Sequence, residues 1–332
     1  MNKPYIIAEL GANAGSSLDY ALRLVDAAAD CGCDAIKLQT YTPDCMTLDE
    51  PYFASGLWQG KTLYELYAEA MTPWDWHEPI FAKARLRGLD CISTPFSFGA
   101  VDFLDKIGVD AFKVASFECN WYDLIAHIGA KRKPVYISTG MASVGEIVEA
   151  WRTVVVASCG VIKPVLLHCL SAYPAALDDM HLANITSIKS WLPAAQVGLS
   201  DHTLGVVAAM AATALGAVAI EKHFVMSRDD GGPDAAFSTE PMEMCRLVDN
   251  CRAVARAIGE PKFGGGKGEN PYYRRSIIAT KDIAVGEMVC LGNVGVLRPN
   301  IGLEPGALDE VIGKKVTQPV RRGEGLQWAH LK

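Results

Sequence analysis

The strongest constraint on the fold of this chain is a regular alternation of short apolar runs with amphipathic segments. The segments between the runs carry apolar residues at helical spacing, as in SSLDYALRLVDAAADCG, where Gly32 is a suitable helix end. Alternating strands and helices indicate a parallel sheet, and eight such units predict a (β/α)₈ barrel, the TIM-barrel fold. Eight runs rich in apolar or β-branched residues follow one another: YIIAEL (5–10), AIKLQT (35–40), LDCISTP (89–95), AFKVAS (111–116), PVYISTG (134–140), PVLLHCLS (164–171), QVGLSD (196–201) and AVAIEKHF (217–224).

The end of the chain follows a different pattern. The 332 residues exceed the roughly 250 that a barrel needs. The stretch GEPKFGGGKGENPYYRR (259–275) predicts a linker; it is not a phosphate loop, because GGGKG lacks the GK[ST] ending and does not follow a strand. Short strands with Gly turns come after it. We therefore predict a catalytic barrel over 1–258, a linker over 259–275 and a small β-rich module over 276–332.

Composition excludes several classes of protein. Half of the residues are hydrophobic and 21% are charged, which is inconsistent with global disorder. The formal charge is −7 with no run of five like charges, so we expect neither nucleic acid nor a membrane surface as a partner. The apolar stretch 204–220 is too short and too rich in Ala for a membrane span. The ten cysteines form no CxxC pair, and the first residues lack the apolar run of a signal peptide, so we expect a cytoplasmic protein with reduced thiols.

Polar side chains gather where the predicted strands end. Active sites of (β/α)₈ barrels are built at the carboxyl ends of the strands, so these residues are expected to meet at one mouth of the barrel. In chain order they are Glu9, Lys37, Gln39, Lys113, Ser116, Glu118, Ser138, Ser171, Tyr173, Ser200, His202, Lys222 and His223.

These residue types favour a metal-assisted reaction on an anion. His202 and His223 follow adjacent strands, which lie about 4.8 Å apart, so the two imidazoles can share a divalent Mn, Co, Fe or Zn ion. Glu9 could complete such a site or hold its water. Lys37 and Lys113, with the serine hydroxyls, suit a phosphorylated and carboxylated anion. The alternative is that each histidine is an ordinary core residue and that each lysine is solvated or paired with Glu9 or Glu118. The convergence of all these residues argues against it.

Several motifs resemble those of a known family along essentially the whole chain. The motifs IIAELGAN, AIKLQTYTPD, FKVASFE, ISTGMA, SAYPA, GLSDHTLG, IEKHF and GGPDAAFS, followed by an antifreeze-like (SAF) module, are similar to the sialic acid synthase family. Within that family, KLQTYTPDCMT, YELYAEAMTPWDW and GGPDAAFSTEP most resemble the pseudaminic acid synthases.

The resemblance implies a reaction and a set of roles. The family condenses phosphoenolpyruvate with a 2-acetamido hexose and water, giving a nine-carbon keto acid and phosphate. A divalent metal (Mn²⁺, Mg²⁺ or Co²⁺) held by His202 and His223 would polarise the open-chain aldehyde, while Glu9 and Glu118 would stabilise the cationic carbon or take a water proton. The resemblance further implies that phosphoenolpyruvate is held by Lys37, Lys113, Ser116, Ser138 and Ser200, that the sugar is contacted by Gln39, Glu118, Tyr173 and Asp234, and that Arg298 reaches in from the C-terminal module of a partner subunit in a domain-swapped homodimer.

Two departures from the family pattern concern the sugar. The first strand continues Asn13-Ala14-Gly15-Ser16, where the family commonly has Asn-His-x-Gly, and Leu170-Ser171 stands where sialic acid synthases carry Thr-Asn. Pseudaminic acid synthesis from a 2,4-diacetamido-2,4,6-trideoxy hexose is therefore the first hypothesis, and synthesis of N-acetylneuraminate or legionaminate is the second. A third is a sugar-binding protein without activity, which only the missing first-strand histidine supports.

Overall fold

The computed structural model describes residues 3–332, with the side chains of Gly15 and Ser16 outside the described part. The chain forms two compact units. The first ends at Gly259 and the second runs from Glu260 to Lys332. Gly15 and Ser16 belong to the departure from the family pattern at residues 13–16, and their side-chain surroundings lie outside the described part.

The first unit is a closed barrel of eight parallel strands in the order β1 to β8, with β8 paired to β1. The predicted (β/α)₈ fold is confirmed. Most predicted runs extend one to three residues beyond the strand itself, because the chain leaves the sheet as soon as the polar loop residues begin. The strands are β1 Tyr5–Glu9, β2 Ala35–Thr40, β3 Asp90–Pro95, β4 Ala111–Val114, β5 Val135–Ser138, β6 Val165–Cys169, β7 Gln196–Asp201 and β8 Ala219–His223.

Helices connect the strands and begin where the sequence places capping residues. The Ser143 side chain accepts a hydrogen bond from the backbone of Glu146, whose carboxylate accepts one from the Ser143 backbone at 2.8 Å. Within residues 3–332 the α-helices are α1 Leu18–Asp30, α2 Pro43–Met46, α3 Leu63–Ala70, α4 His77–Leu86, α5 Phe98–Lys106, α6 Tyr122–Ala130, α7 Val144–Ala157, α8 Asn184–Trp191, α9 Val207–Ala214, α10 Pro241–Ile258 and α11 Leu308–Val311. None of these is long and apolar enough to cross a membrane.

Successive side chains on a strand alternate between two buried regions, the interior of the barrel and the core between the barrel and its helices. On β2, Ile36 and Leu38 pack in the large core between barrel and helices, whereas Ala35 packs inside the barrel with Ile7, Ile92 and Ala111. Lys37 and Gln39 have the same parity as Ala35, so they point into the barrel above this apolar layer. The alternation thus determines which polar residues can reach the mouth.

Lys222 is the strand-end residue that alternation directs away from the barrel interior. Its ammonium donates hydrogen bonds to Asp201 Oδ2 at 2.7 Å and to the Thr203 carbonyl at 2.6 Å, and both charged side chains are almost fully buried. The other oxygen of Asp201 accepts hydrogen bonds from the backbone and the hydroxyl of Thr203. Lys222 therefore fixes the loop after β7 and takes no part in the mouth.

The second unit has its own small core. Two antiparallel strands, β9 Ser276–Ala279 and β10 Val294–Leu297, are supplemented by single bridges such as Ile283 to Val320. Ile277, Val289 and Leu326 belong to its buried cluster. Residues 260–270, within the predicted linker, form neither helix nor strand.

We predict that Lys222→Met lowers the free energy of unfolding of the barrel by about 3–5 kcal/mol, because it leaves the Asp201 carboxylate buried without its counter-charge. Denaturant unfolding followed by circular dichroism measures the change. The matched control is Lys83→Met, which removes a half-exposed partner of Asp26 and should cost less than about 1 kcal/mol. Equal losses in the two variants would contradict the structural role of Lys222.

Candidate active site

A cavity of about 400 Å³ opens at the carboxyl ends of the barrel strands. It brings together most of the residues that the sequence singles out. Those that line it are Lys37, Gln39, Lys113, Ser116, Glu118, Ser138, Tyr173, Ser200, His202, His223 and Asp234. Glu9 and Ser171 are not among the lining residues, and Arg298 is an exposed residue of the second unit.

The floor of the cavity is a cluster of four buried charges. Lys37 forms an ion pair with Glu9, and its nitrogen lies 3.9 Å from Glu221. The Lys113 nitrogen lies 3.7 Å from the other oxygen of Glu221. Ser200 donates a hydrogen bond to Glu221 at 3.2 Å. Two ammonium groups and two carboxylates thus balance one another in a site from which water is largely excluded.

The pKa values of these groups follow from their number of partners. Burial raises the pKa of Glu221, but Lys113 and Lys37 outweigh it and hold that pKa at about 2. Burial lowers the pKa of Lys37, yet Glu221 and Glu9 together raise it above its ordinary value. Burial lowers the pKa of Lys113 below its ordinary value, because that lysine shares a single close carboxylate with Lys37. An anionic ligand would therefore stabilise the charge of Lys113 more than that of Lys37.

Glu9 lies beneath the cavity and shapes its wall. Its carboxylate is fully buried, pairs with Lys37 and accepts a hydrogen bond from Gln39 Nε2 at 2.9 Å. Gly11 has a positive φ, and a Cβ at that position would overlap the Glu9 carboxylate. In this arrangement Glu9 orients two lining side chains, so its predicted part in activating water stays a prediction.

The two histidines stand side by side, as the sequence predicts. Their ring centroids are 5.4 Å apart. His202 Nδ1 lies 2.9 Å from the Leu170 carbonyl, which can only accept a hydrogen bond, so Nδ1 carries the proton. His223 Nδ1 is buried without a hydrogen bond and lies 3.4 Å from Asp234 Oδ2. Among the described residues there is no group of three or more side chains arranged to hold a metal, so any ion here must take ligands from water or substrate.

Hydroxyl and thiol groups of neighbouring strands complete the floor. The Ser138 hydroxyl is buried and has no hydrogen-bond partner. The Ser116 hydroxyl accepts a hydrogen bond from the Gly140 backbone at 3.1 Å. Cys169 lies 3.9 Å from His202 Nδ1; burial raises the pKa of its thiol, but His202 and Lys113 outweigh that effect and bring it to about 7. These groups line the same cavity as Lys113.

The outer part of the cavity has a different character. Burial raises the pKa of Glu118 to about 7 although Lys113 opposes the change, and its Oε2 has no hydrogen-bond partner. Tyr173 packs on His202, Trp58 and Phe237, with ring centroids 4.3, 5.7 and 5.1 Å away. A buried carboxylate oxygen that accepts no hydrogen bond, beside a wall of aromatic rings, is suited to an uncharged polar ligand.

A long connection between β2 and α4 closes over this part. We call residues 41–76 the β2–α4 segment. Trp58 in this segment donates a hydrogen bond to the Pro233 carbonyl at 2.8 Å, in the loop that follows β8. Since β8 and β2 flank β1, this bond joins two loops above the first strand.

The sequence reasoning missed several parts of the cavity, among them Glu221, Cys169, the β2–α4 segment, and Thr94 and Phe96 at the end of β3. Strand alternation could have found the first two, since Glu221 lies two residues before His223 and Cys169 is paired with Ser200 of the neighbouring strand. Ser171 itself lies beyond the end of β6, and its hydroxyl packs against Gly140 instead of facing the cavity. The packing of the β2–α4 segment depends on contacts with distant loops, which no local pattern encodes.

Fold and site together define a class: a (β/α)₈ barrel enzyme with a charged, buried chamber at the carboxyl ends of its strands. The chain belongs to the NeuB family, which residues 24–263 match, and residues 274–332 match the SAF domain. The resemblance drawn from the sequence motifs is thereby confirmed.

Similar proteins span nearly the whole chain. The chain is 39% identical to the pseudaminic acid synthase of Campylobacter jejuni, covering 98% of this chain and 96% of that protein. It is 36% identical to the pseudaminic acid synthase of Helicobacter pylori, covering 96% and 95%. The crystal structure of N-acetylneuraminic acid synthetase from Leptospira borgpetersenii in complex with citrate matches with a TM-score of 0.73 at 30% identity, covering 80% of this chain and 88% of that one.

Proposed function

We propose that this protein condenses phosphoenolpyruvate with a 2,4-diacetamido-2,4,6-trideoxy hexose and water, and so makes a pseudaminic-type nine-carbon acid and inorganic phosphate. The observation that carries the proposal is the charged floor with two adjacent histidines, in a chain 39% identical over nearly its full length to a pseudaminic acid synthase. In the reaction, C3 of phosphoenolpyruvate bonds to C1 of the open-chain sugar. Water adds to C2 of phosphoenolpyruvate, and the resulting tetrahedral carbon then loses inorganic phosphate by cleavage of its C–O bond to the phosphate, which leaves the keto group at C2.

Phosphoenolpyruvate is assigned to the charged floor. Lys37 and Lys113 supply point charges, and Ser116, Ser138 and Ser200 supply hydroxyl donors. The unpartnered hydroxyl of Ser138 and the poorly compensated ammonium of Lys113 both favour an anion at this place. Binding of the anion would satisfy each of them.

Charge balance supports a divalent cation as the cofactor. Phosphoenolpyruvate brings roughly three negative charges, since a phosphate group carries about −1.5 to −2 and the carboxylate adds one. Glu9 and Glu221 already compensate the two lysines. A Mn²⁺, Mg²⁺ or Co²⁺ ion would offset the surplus.

The histidines fit such an ion. The proton on His202 Nδ1 leaves the Nε2 lone pair available, with the Leu170 carbonyl orienting the ring from behind. His223 Nδ1, which makes no hydrogen bond and lies 3.4 Å from Asp234 Oδ2, is a second nitrogen in the site. When bound, the ion supplies Lewis-acid polarisation of the sugar aldehyde.

Carboxyl groups and amides of the outer cavity are assigned to the sugar and to proton movement. Glu118, with its pKa near 7, is suited to exchange a proton at neutral pH. Gln39, Tyr173 and Asp234 surround the same space and would contact sugar oxygens. Glu9 holds Gln39 and Lys37 in place, and through them the water that attacks C2.

The protein is proposed to act in the cytoplasm as a domain-swapped homodimer. A module of about 60 residues buries little surface by itself, so covering the mouth of a partner barrel would stabilise both. Arg298 would then supply a guanidinium to the substrate from the other subunit.

The second candidate is the same condensation on another sugar, which gives N-acetylneuraminate or legionaminate. A panel of acetamido sugars distinguishes the two by relative rate. The third candidate, a sugar-binding protein without activity, predicts no phosphate release from phosphoenolpyruvate with any sugar.

We predict that phosphate release requires a divalent metal and that His202→Ala or His223→Ala abolishes it without unfolding the barrel. Each substitution removes one of two adjacent imidazole ligands. Phosphate release after chelation and after re-addition of Mn²⁺, together with circular dichroism, makes the measurement. The control is His127→Ala, which lies outside the cavity and should keep full activity. Full turnover by chelated enzyme would exclude the metal.

We also predict that Lys37→Ala and Lys113→Ala raise the KM for phosphoenolpyruvate by roughly 10- to 100-fold and the KM for the sugar much less. Each lysine offers a charge-assisted hydrogen bond worth about 1.5–3 kcal/mol. Initial rates with each substrate varied in turn give both constants, with Lys83→Ala as the surface control. A rise confined to the sugar KM would reverse the assignment of the floor.

The dimer proposal predicts complementation between two inactive chains. His223→Ala and Arg298→Ala proteins, each inactive, are unfolded together and refolded. With random pairing half of the dimers are mixed, and each mixed dimer has one intact site of two, so recovery should approach roughly a quarter of wild-type activity. Mixed dimers without activity would mean that Arg298 acts on its own barrel or not at all.

A further inference from the structure

The outer side of the cavity presents an uncharged surface. The residues that the β2–α4 segment contributes to the lining are Tyr41, Met46, Ala54, Ser55, Trp58, Leu63, Leu66, Tyr67 and Ala70. None of these is charged, whereas the facing strand ends supply Lys37, Lys113 and Glu221. The cavity therefore offers one side to an anion and the other to a ligand with apolar groups.

Helix α3 supplies the centre of this surface because it is amphipathic. Leu63, Leu66, Tyr67 and Ala70 have the i, i+3, i+4, i+7 spacing of one helix face, and all four line the cavity. None belongs to the large hydrophobic core of the barrel. This face packs partly against its own segment, where the Tyr67 ring lies 5.9 Å from that of Tyr41, and the rest of it borders the cavity.

The charged residues of the same stretch are engaged elsewhere. The Glu65 carboxylate caps the start of α3 by accepting a hydrogen bond from the Thr62 backbone at 2.8 Å. Lys61 pairs with Glu69 at the exposed side of the helix. The apolar character of the cavity side is thus maintained by the helix itself.

Such a surface distinguishes sugars by their substituents. A hydroxyl group buried against Leu66 and Met46 would lose its water without gaining a partner, which is costly. A methyl group at the same place is stabilised by removal of its apolar surface from water. A sugar with methyl and acetamido groups in place of hydroxyls is therefore favoured.

We propose that the cavity face of α3, extended by Met46 and Phe96, determines sugar specificity by contacting the C6 methyl and acetamido methyl groups of the substrate. The inference rests on the proposed function, because it assigns the sugar part of the same cavity. Glu118 adds a polar anchor beside this surface: its buried Oε2 has no donor in the protein and accepts an acetamido N–H.

The test compares two sugars that differ only at C6. One is the 2,4-diacetamido-2,4,6-trideoxy hexose, and the other carries a hydroxymethyl group in place of its methyl. Wild-type enzyme should prefer the first by roughly 10- to 200-fold in kcat/KM, the range that a hydrophobic pocket achieves for such a change. Leu66→Asn keeps the branching of the side chain and Met46→Gln keeps its length, and each should reduce that ratio by about tenfold while the KM for phosphoenolpyruvate stays unchanged.

The matched control is Glu69→Gln on the exposed side of α3, which should leave the ratio as in wild type. Thermal unfolding identifies any variant that does not fold; Met46 is only half-buried, so Met46→Gln decides the question if Leu66→Asn does not fold. Equal turnover of the two sugars by wild type, or equal losses for both sugars in the variants, would overturn the inference. Absence of phosphate release with either sugar would instead refute the proposed function.

Discussion

The buried ion pairs of Lys37 and Lys113 with Glu9 and Glu221 are the interaction on which the site depends. Burying any one of these charges alone would be very costly, and the closed barrel places the four together on inward-pointing positions of β1, β2, β4 and β8. The cluster is neutral in itself. It therefore keeps two ammonium groups in a chamber with little water without repelling a substrate. When an anion binds, the lysines exchange carboxylate partners of the protein for the groups of the anion.

The sequence predicts the architecture well because its signals are local. Strand runs, helix spacing and caps such as Ser143 depend on residues close together in the chain, and the eightfold repetition leaves few alternatives for the sheet. The placement of His202 and His223 side by side follows from the same logic, since adjacent strands place their carboxyl ends together.

What the sequence analysis did not predict depends on the direction of side chains and on contacts between distant residues. Lys222 and His223 are neighbours in sequence, yet alternation directs one to Asp201 outside the barrel and the other into the cavity. Glu9 ends a strand like the other site residues, but Gly11 and Gln39 enclose it beneath the surface. The β2–α4 segment is positioned by contacts such as Trp58 to Pro233, between residues far apart in the chain. Long-range packing of this kind overrides local pattern.

The two sides of the cavity are built from different parts of the fold, which has a consequence for evolution. Groups that face the anion sit on the strands of the barrel, where any change disturbs the sheet and the ion pairs beneath it. Groups of the apolar wall sit largely on one connection outside the sheet, and α3 within it is held by its own cap and surface pairs. Selection can therefore alter that connection while leaving the reaction centre untouched. If the apolar wall selects the sugar as proposed, a few substitutions in that one segment change which sugar is accepted and leave the chemistry of the charged floor as it was.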